Sequence, residues 1–74
     1  MQGGMVMAIK DEVGNRIKEL RSSRGISQET LAHEAGLDRT YITSVERGKR
    51  NISIVNLEKI AIALNISLSE FFNY

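Results

Sequence analysis

Apolar residues at Ile9, Val13, Ile17 and Leu20 advance in steps of four, four and three, the spacing of one face of a helix. That stripe predicts a first helix from Ile9 to about Arg24, with Gly25 as its stop. A second helix opens at Ser27, a good N-cap; it runs through Gln28 and Glu29, carries Leu31, Ala32 and Ala35 inward, and ends at Gly36. Leu37 anchors the turn. Asp38 is placed to cap a third helix from Arg39 to about Arg47, with Ile42 and Val45 facing inward and Gly48 at its C-terminal end. Ser53 caps a fourth helix, Ile54 to about Leu64, whose inner face is Leu57, Ile60, Ala61 and Leu64; Asn65 closes it. Ser67 caps a short fifth helix, Leu68 to about Phe72. No strand signal, repeat or low-complexity stretch interrupts the series, so the fold class is all-α with five helices.

The second and third helices, joined only by Gly36, Leu37 and Asp38, have the layout of a helix-turn-helix DNA reader. The outward face of the third helix is then Arg39, Thr40, Thr43, Ser44 and Arg47. Arg39 suits the two acceptors of guanine, Thr40, Thr43 and Ser44 are placed to reach base edges or a thymine methyl, and none blocks a major groove. A polar outer face is also what any surface helix presents. The short turn, the small Ala32 and Ala35 at the helix crossing, and the cations beyond Gly48 favour DNA.

These residues resemble the Cro/C1-type (Xre-type) family of helix-turn-helix transcriptional regulators. The matches are Arg16-Ile17-Lys18-Glu19-Leu20-Arg21, Gly25-Ile26-Ser27-Gln28-Glu29, Leu31-Ala32, Gly36-Leu37, Tyr41-Ile42, Glu46-Arg47-Gly48 and Leu57-Glu58-Lys59-Ile60-Ala61, across roughly residues 11–72. Within the family, Gly36 to Ile42 followed by Glu46-Arg47-Gly48 is especially similar to the controller proteins of bacterial restriction–modification systems. Phage repressors and antitoxin-type regulators share the scaffold, and Asn51-Ile52-Ser53 departs from the Asn-Pro-Ser often found there. The resemblance implies a lambda-repressor-like domain. It also implies a homodimer on a pseudo-palindromic operator, activating or repressing its own gene and an endonuclease gene according to which half-sites are filled. A helical adaptor that holds a protein partner on the same scaffold is the alternative of a different kind.

Seventy-four residues without proline make one domain, taken as residues 9–74 behind a flexible leader at residues 1–8. The composition, 42% apolar and 26% charged, is that of a globular chain. A net charge of +1 is a poor sign of nucleic-acid binding, but its distribution changes the picture: Arg39, Arg47, Lys49 and Arg50 face only Glu46 between residues 39 and 50. No cysteine is available for a disulfide or a thiolate metal site, and no signal or spanning segment is evident, which suits a cytoplasmic protein. His33 alone assembles no familiar metal site, and no cofactor loop or catalytic constellation is evident, so neither metal, cofactor nor enzymatic activity is expected.

Phosphate contacts are expected from Ser27 and Gln28 at the start of the second helix, from Tyr41, and from Arg47, Lys49 and Arg50. A plain surface glutamine, a core-edge tyrosine and a solvated charge run are the simpler readings of these residues. Ile62 and Ile66 sit off the inner stripe of the fourth helix, and adjacent Phe71 and Phe72 cannot both enter one small core. All four are therefore candidates for the dimer interface. By resemblance, Arg21 and Glu46 form an ion pair tying the first helix to the third. Resemblance to phage activators with an acidic second helix implies that Glu29 and Glu34 touch RNA polymerase, although Glu29 also complements the helix N-terminus.

Overall fold

The computed structural model describes residues 7–74, and among them five helices form: α1 (Ile9–Ser23), α2 (Gln28–Ala35), α3 (Arg39–Glu46), α4 (Ile54–Ala63) and α5 (Leu68–Phe71). The first six residues of the expected leader lie outside the described residues; Met7 and Ala8 are exposed, and Ala8 is the extended residue that precedes α1.

Three of the helices begin on a serine. The hydroxyls of Ser27, Ser53 and Ser67 accept the backbone N–H of Thr30, Asn56 and Glu70 at 3.0, 3.1 and 3.0 Å. Ser67 and Glu70 complete a reciprocal capping box, which lets a helix as short as α5 form. Asp38 differs from expectation. It holds the extended N-cap conformation before α3, but its carboxylate makes no capping hydrogen bond.

The first four helices all end in the same way. A residue in the left-handed region follows the helix, and paired backbone bonds close the last turn: Leu37 N–H to Ala32 and Gly36 N–H to His33 after α2, Ile66 N–H to Ala61 and Asn65 N–H to Ile62 after α4. Gly36 takes that conformation without a Cβ penalty, and Asn65, at φ 60°, is the one non-glycine residue among the described residues that does so. After α1, α2 and α4 the residue beyond the reversal folds back inward, so Ile26, Leu37 and Ile66 pack against the core, whereas Lys49, beyond the reversal after α3, is exposed. Ile66 sits off the α4 stripe because it has already left α4.

Ile17, Leu31, Ile42, Ile60 and Phe71 are fully buried and draw every helix into one core. Their removal from water is the main favourable term in folding. Ile9, the first member of the sequence stripe, is exposed, so the inner face of α1 starts at Val13. The other departure is Phe71. Expected at a partner surface, it has no exposed area and belongs to the protein's own core, while Phe72 points outward at 46% exposure. Consecutive residues on a helix lie about 100° apart, which forces that division.

Two arginines fasten the C-terminal helices to α1. Arg16 donates to the carbonyls of Phe71 and Glu70 at 2.7 and 2.9 Å, and Arg24 donates to the carbonyl of Ala63 at 2.7 Å. Each cation thus sits at the negative end of a helix.

Candidate nucleic-acid interface

The turn between α2 and α3 holds the two helices in contact, with α3 packed against α1 on its other side. Gly14 makes that second approach possible: a β carbon there would fall on the carbonyl oxygen of Val45 and lie 3.0 Å from that of Glu46. With Ile42 and Val45 buried beneath it, α3 has one face left to present. Arg39, Thr40 and Arg47 are exposed on it, and Thr43 and Ser44 are half-buried. Lys49 and Arg50 follow immediately, both exposed. All the candidate base-reading and basic residues therefore gather on α3 and the loop beyond it.

Beneath that face lies a polar chain. Arg21 Nε donates to Glu46 Oε2 at 2.7 Å and Nη2 to Oε1 at 3.0 Å, while Nη1 reaches the carbonyl of Ile26. Hydrogen bonding to Glu46 raises the arginine's pKa above its ordinary value, although burial acts the other way. The forked geometry fixes the end of α3 in two dimensions rather than one. Glu46 also accepts from Gln28 Nε2 at 3.0 Å, and Gln28 Oε1 accepts from the Thr43 hydroxyl at 2.8 Å.

Three candidate residues are thus engaged inside the protein. Gln28, a candidate phosphate contact, bonds to Glu46 and Thr43, which leaves its second amide N–H without a partner among the described residues. Thr43, a candidate base contact, is bonded to Gln28 and to the carbonyl of Arg39. Ser27 caps α2 and donates to the Thr30 hydroxyl at 3.0 Å.

Tyr41 forms a second cluster. Its hydroxyl accepts from Asn56 Nδ2 at 3.1 Å, which keeps the phenolic proton available to an outside acceptor. The Arg50 guanidinium lies over its ring, 5.0 Å from the centroid. Sequence reasoning missed Asn56 because its position in the first turn of α4 looks like any exposed polar residue. Neither the stacking of Arg50 nor the Gln28–Thr43 bond has a signal in spacing.

The remaining candidates lie elsewhere. Glu29 and Glu34 are exposed on α2. Ile62 is exposed at 69% and Phe72 partly so, whereas Ile66 is half-buried. Among the described residues no three acidic or imidazole side chains converge as a metal site, and no helix is long and apolar enough to cross a membrane.

A helix-turn-helix family model matches residues 17–71, which spans the ion pair, the turn, α3 and both C-terminal helices. The control protein C.MunI of Mycoplasma sp. is 53% identical over 66 residues, covering 88% of this chain and 89% of that protein. The crystal structure of the restriction–modification controller protein C.AhdI from Aeromonas hydrophila superposes with a TM-score of 0.85 at 52% identity, over 89% of this chain and all of that one. The restriction–modification controller protein C.Esp1396I, solved as a tetramer in complex with its natural 35 base-pair operator, gives a TM-score of 0.84 at 40% identity, over 90% of this chain and 88% of that one. Shared helices, shared turn and this level of identity agree: the chain belongs to the Cro/C1-type helix-turn-helix family of transcriptional regulators and is similar to its restriction–modification controller proteins.

Proposed function

We propose that this protein is a homodimeric, sequence-specific DNA-binding regulator in the cytoplasm, controlling a restriction–modification locus that includes its own gene. The observation that carries the reading is the polar, cationic face of α3, fixed from behind by Arg21 and Glu46, in a chain that shares fold and half its sequence with controller proteins. Arg39, Thr40, Thr43 and Ser44 read base edges; Tyr41, Arg47, Lys49, Arg50 and the second amide N–H of Gln28 hold phosphates. Ser27 contributes by orienting the start of α2. Two copies joined through Ile62 and Phe72 set their α3 helices into successive major grooves about 34 Å apart on a pseudo-palindromic operator.

Activation at such a site needs a surface for RNA polymerase, and the exposed acids Glu29 and Glu34 on α2 are the proposed contact. Replacing both by glutamine should leave operator affinity intact and remove activation. Unchanged transcription in the double variant would take them out of the mechanism and leave direct repression.

The reading as a whole is tested by duplex binding against salt. A reader that neutralises several phosphates loses affinity linearly in log–log form, with a slope of about −0.9 for each phosphate contacted. An adaptor for a protein partner would show no retention on duplex even at low salt.

A further inference from the structure

Thr43 has a single hydroxyl proton, and its surroundings inside the protein hold it. Its Oγ1 lies 2.8 Å from Gln28 Oε1 and 3.1 Å from the carbonyl oxygen of Arg39, and both of these atoms accept. The orientation of the Gln28 amide is not arbitrary. Its nitrogen faces Glu46 Oε1 at 3.0 Å, and the Glu46 carboxylate is in turn fixed by Arg21. A reversed amide would set oxygen against a carboxylate on one side and nitrogen toward Thr43 on the other. Polarity therefore runs in one direction, from the guanidinium through carboxylate and amide to the threonine.

We propose that Gln28 is a specificity-determining positioning residue: by holding the Thr43 proton, it leaves that side chain offering only lone pairs and its methyl group to a base edge. Guanine presents two acceptors, N7 and O6, in the major groove, so such a threonine repels it. Thymine, through its methyl, and adenine or cytosine, through their amino groups, remain compatible. The inference rests on the reading of α3 as the groove-entering helix. Phosphate contacts carry no sequence information by themselves, so a base-level effect of Gln28 has to pass through Thr43.

The test is selection from a random duplex library with the full-length protein and its variants. Thr43→Ala locates the operator position that Thr43 reads. There the unaltered protein should disfavour guanine, and Gln28→Ala should relax the penalty roughly fivefold while other positions keep their preference; in a Thr43→Val background, which has no hydroxyl proton to hold, Gln28→Ala should change nothing at that position. Gln28→Leu, closer in volume, repeats the measurement if the alanine variant melts before it binds. A uniform loss of affinity in the Gln28 variants with the guanine penalty intact would overturn the proposal. So would the same relaxation by Gln28→Ala in the Thr43→Val background, or a Thr43→Ala variant with unchanged preference everywhere. If the unaltered protein selects no sequence at all, the reading of α3 itself fails, which is a distinct result.

Discussion

Arg21 and Glu46 are joined by two hydrogen bonds, Nε to Oε2 at 2.7 Å and Nη2 to Oε1 at 3.0 Å, across a gap of 25 residues in sequence. The Glu46 side chain is 3% exposed and that of Arg21 13%. A carboxylate so buried depends on its cation, and the pair sets where α3 ends relative to α1.

Arg21→Ala should therefore lower stability by about 2–3 kcal/mol, below the upper range for such pairs because the arginine retains some water contact. In a domain of this size that corresponds to a fall in melting temperature of roughly 10–20 °C. Circular dichroism melts measure it. A change under about 2 °C would mean that the pair contributes nothing net to folding.

Gly14→Ala separates packing from helix propensity. Alanine is the better helix former by about 1 kcal/mol, so an unhindered site would gain stability. Here the added methyl meets the carbonyl of Val45, and neither backbone has a flexible end that moves aside. A net loss of about 1–3 kcal/mol is expected in chemical denaturation, with weaker operator binding because α3 is displaced. A more stable variant would show that the helices part easily.

The adjacent phenylalanines should respond in opposite ways. Phe71→Ala empties the core and should cost about 3–5 kcal/mol, enough to unfold much of the population. Phe72→Ala should keep the fold and shift the protein toward monomer, read by sedimentation at low micromolar concentration. A Phe72→Ala variant that sediments as an unchanged dimer would place the dimer contact elsewhere.

The contrast between these two residues marks how far the sequence could be read. Helix existence and ends were legible because they depend on local chemistry: Ser27, Ser53 and Ser67 cap, and Gly36 and Asn65 reverse the chain. Which of Phe71 and Phe72 enters the core depends on the rotation of α5 about its axis, set partly by Arg16 reaching from α1 to the carbonyl of Phe71. Such a long-range bond leaves no periodic trace. At the candidate site, the outward face of α3 followed from helical spacing, but the inward commitments of Gln28 and Thr43 required the distance between two helices. Ile66 shows the same limit: Asn65 marks the end of α4 in the sequence, but the packing of the next residue against the core depends on how the chain reverses there.

Arg39 and the basic residues beyond it should differ in kind. Arg39→Ala should lose roughly 1–3 kcal/mol on the specific operator and much less on random duplex, with relaxed preference at one position. Arg47→Ala and Lys49→Ala should weaken binding to every sequence and flatten the salt dependence by about one unit each. Equal losses by Arg39→Ala on both duplexes would remove its base contact. A changed sequence preference with an unaltered salt slope would do the same for the phosphate role of Arg47 or Lys49.

Selection from random duplex by the unaltered protein, followed by sequencing of the bound pool, tests the central claim most directly. A homodimer presenting two α3 helices should enrich a pseudo-palindrome with half-site centres about 10 base pairs, or one helical turn, apart. Enrichment of a single unrepeated motif would contradict the twofold arrangement, and a pool that remains random would contradict sequence-specific recognition altogether.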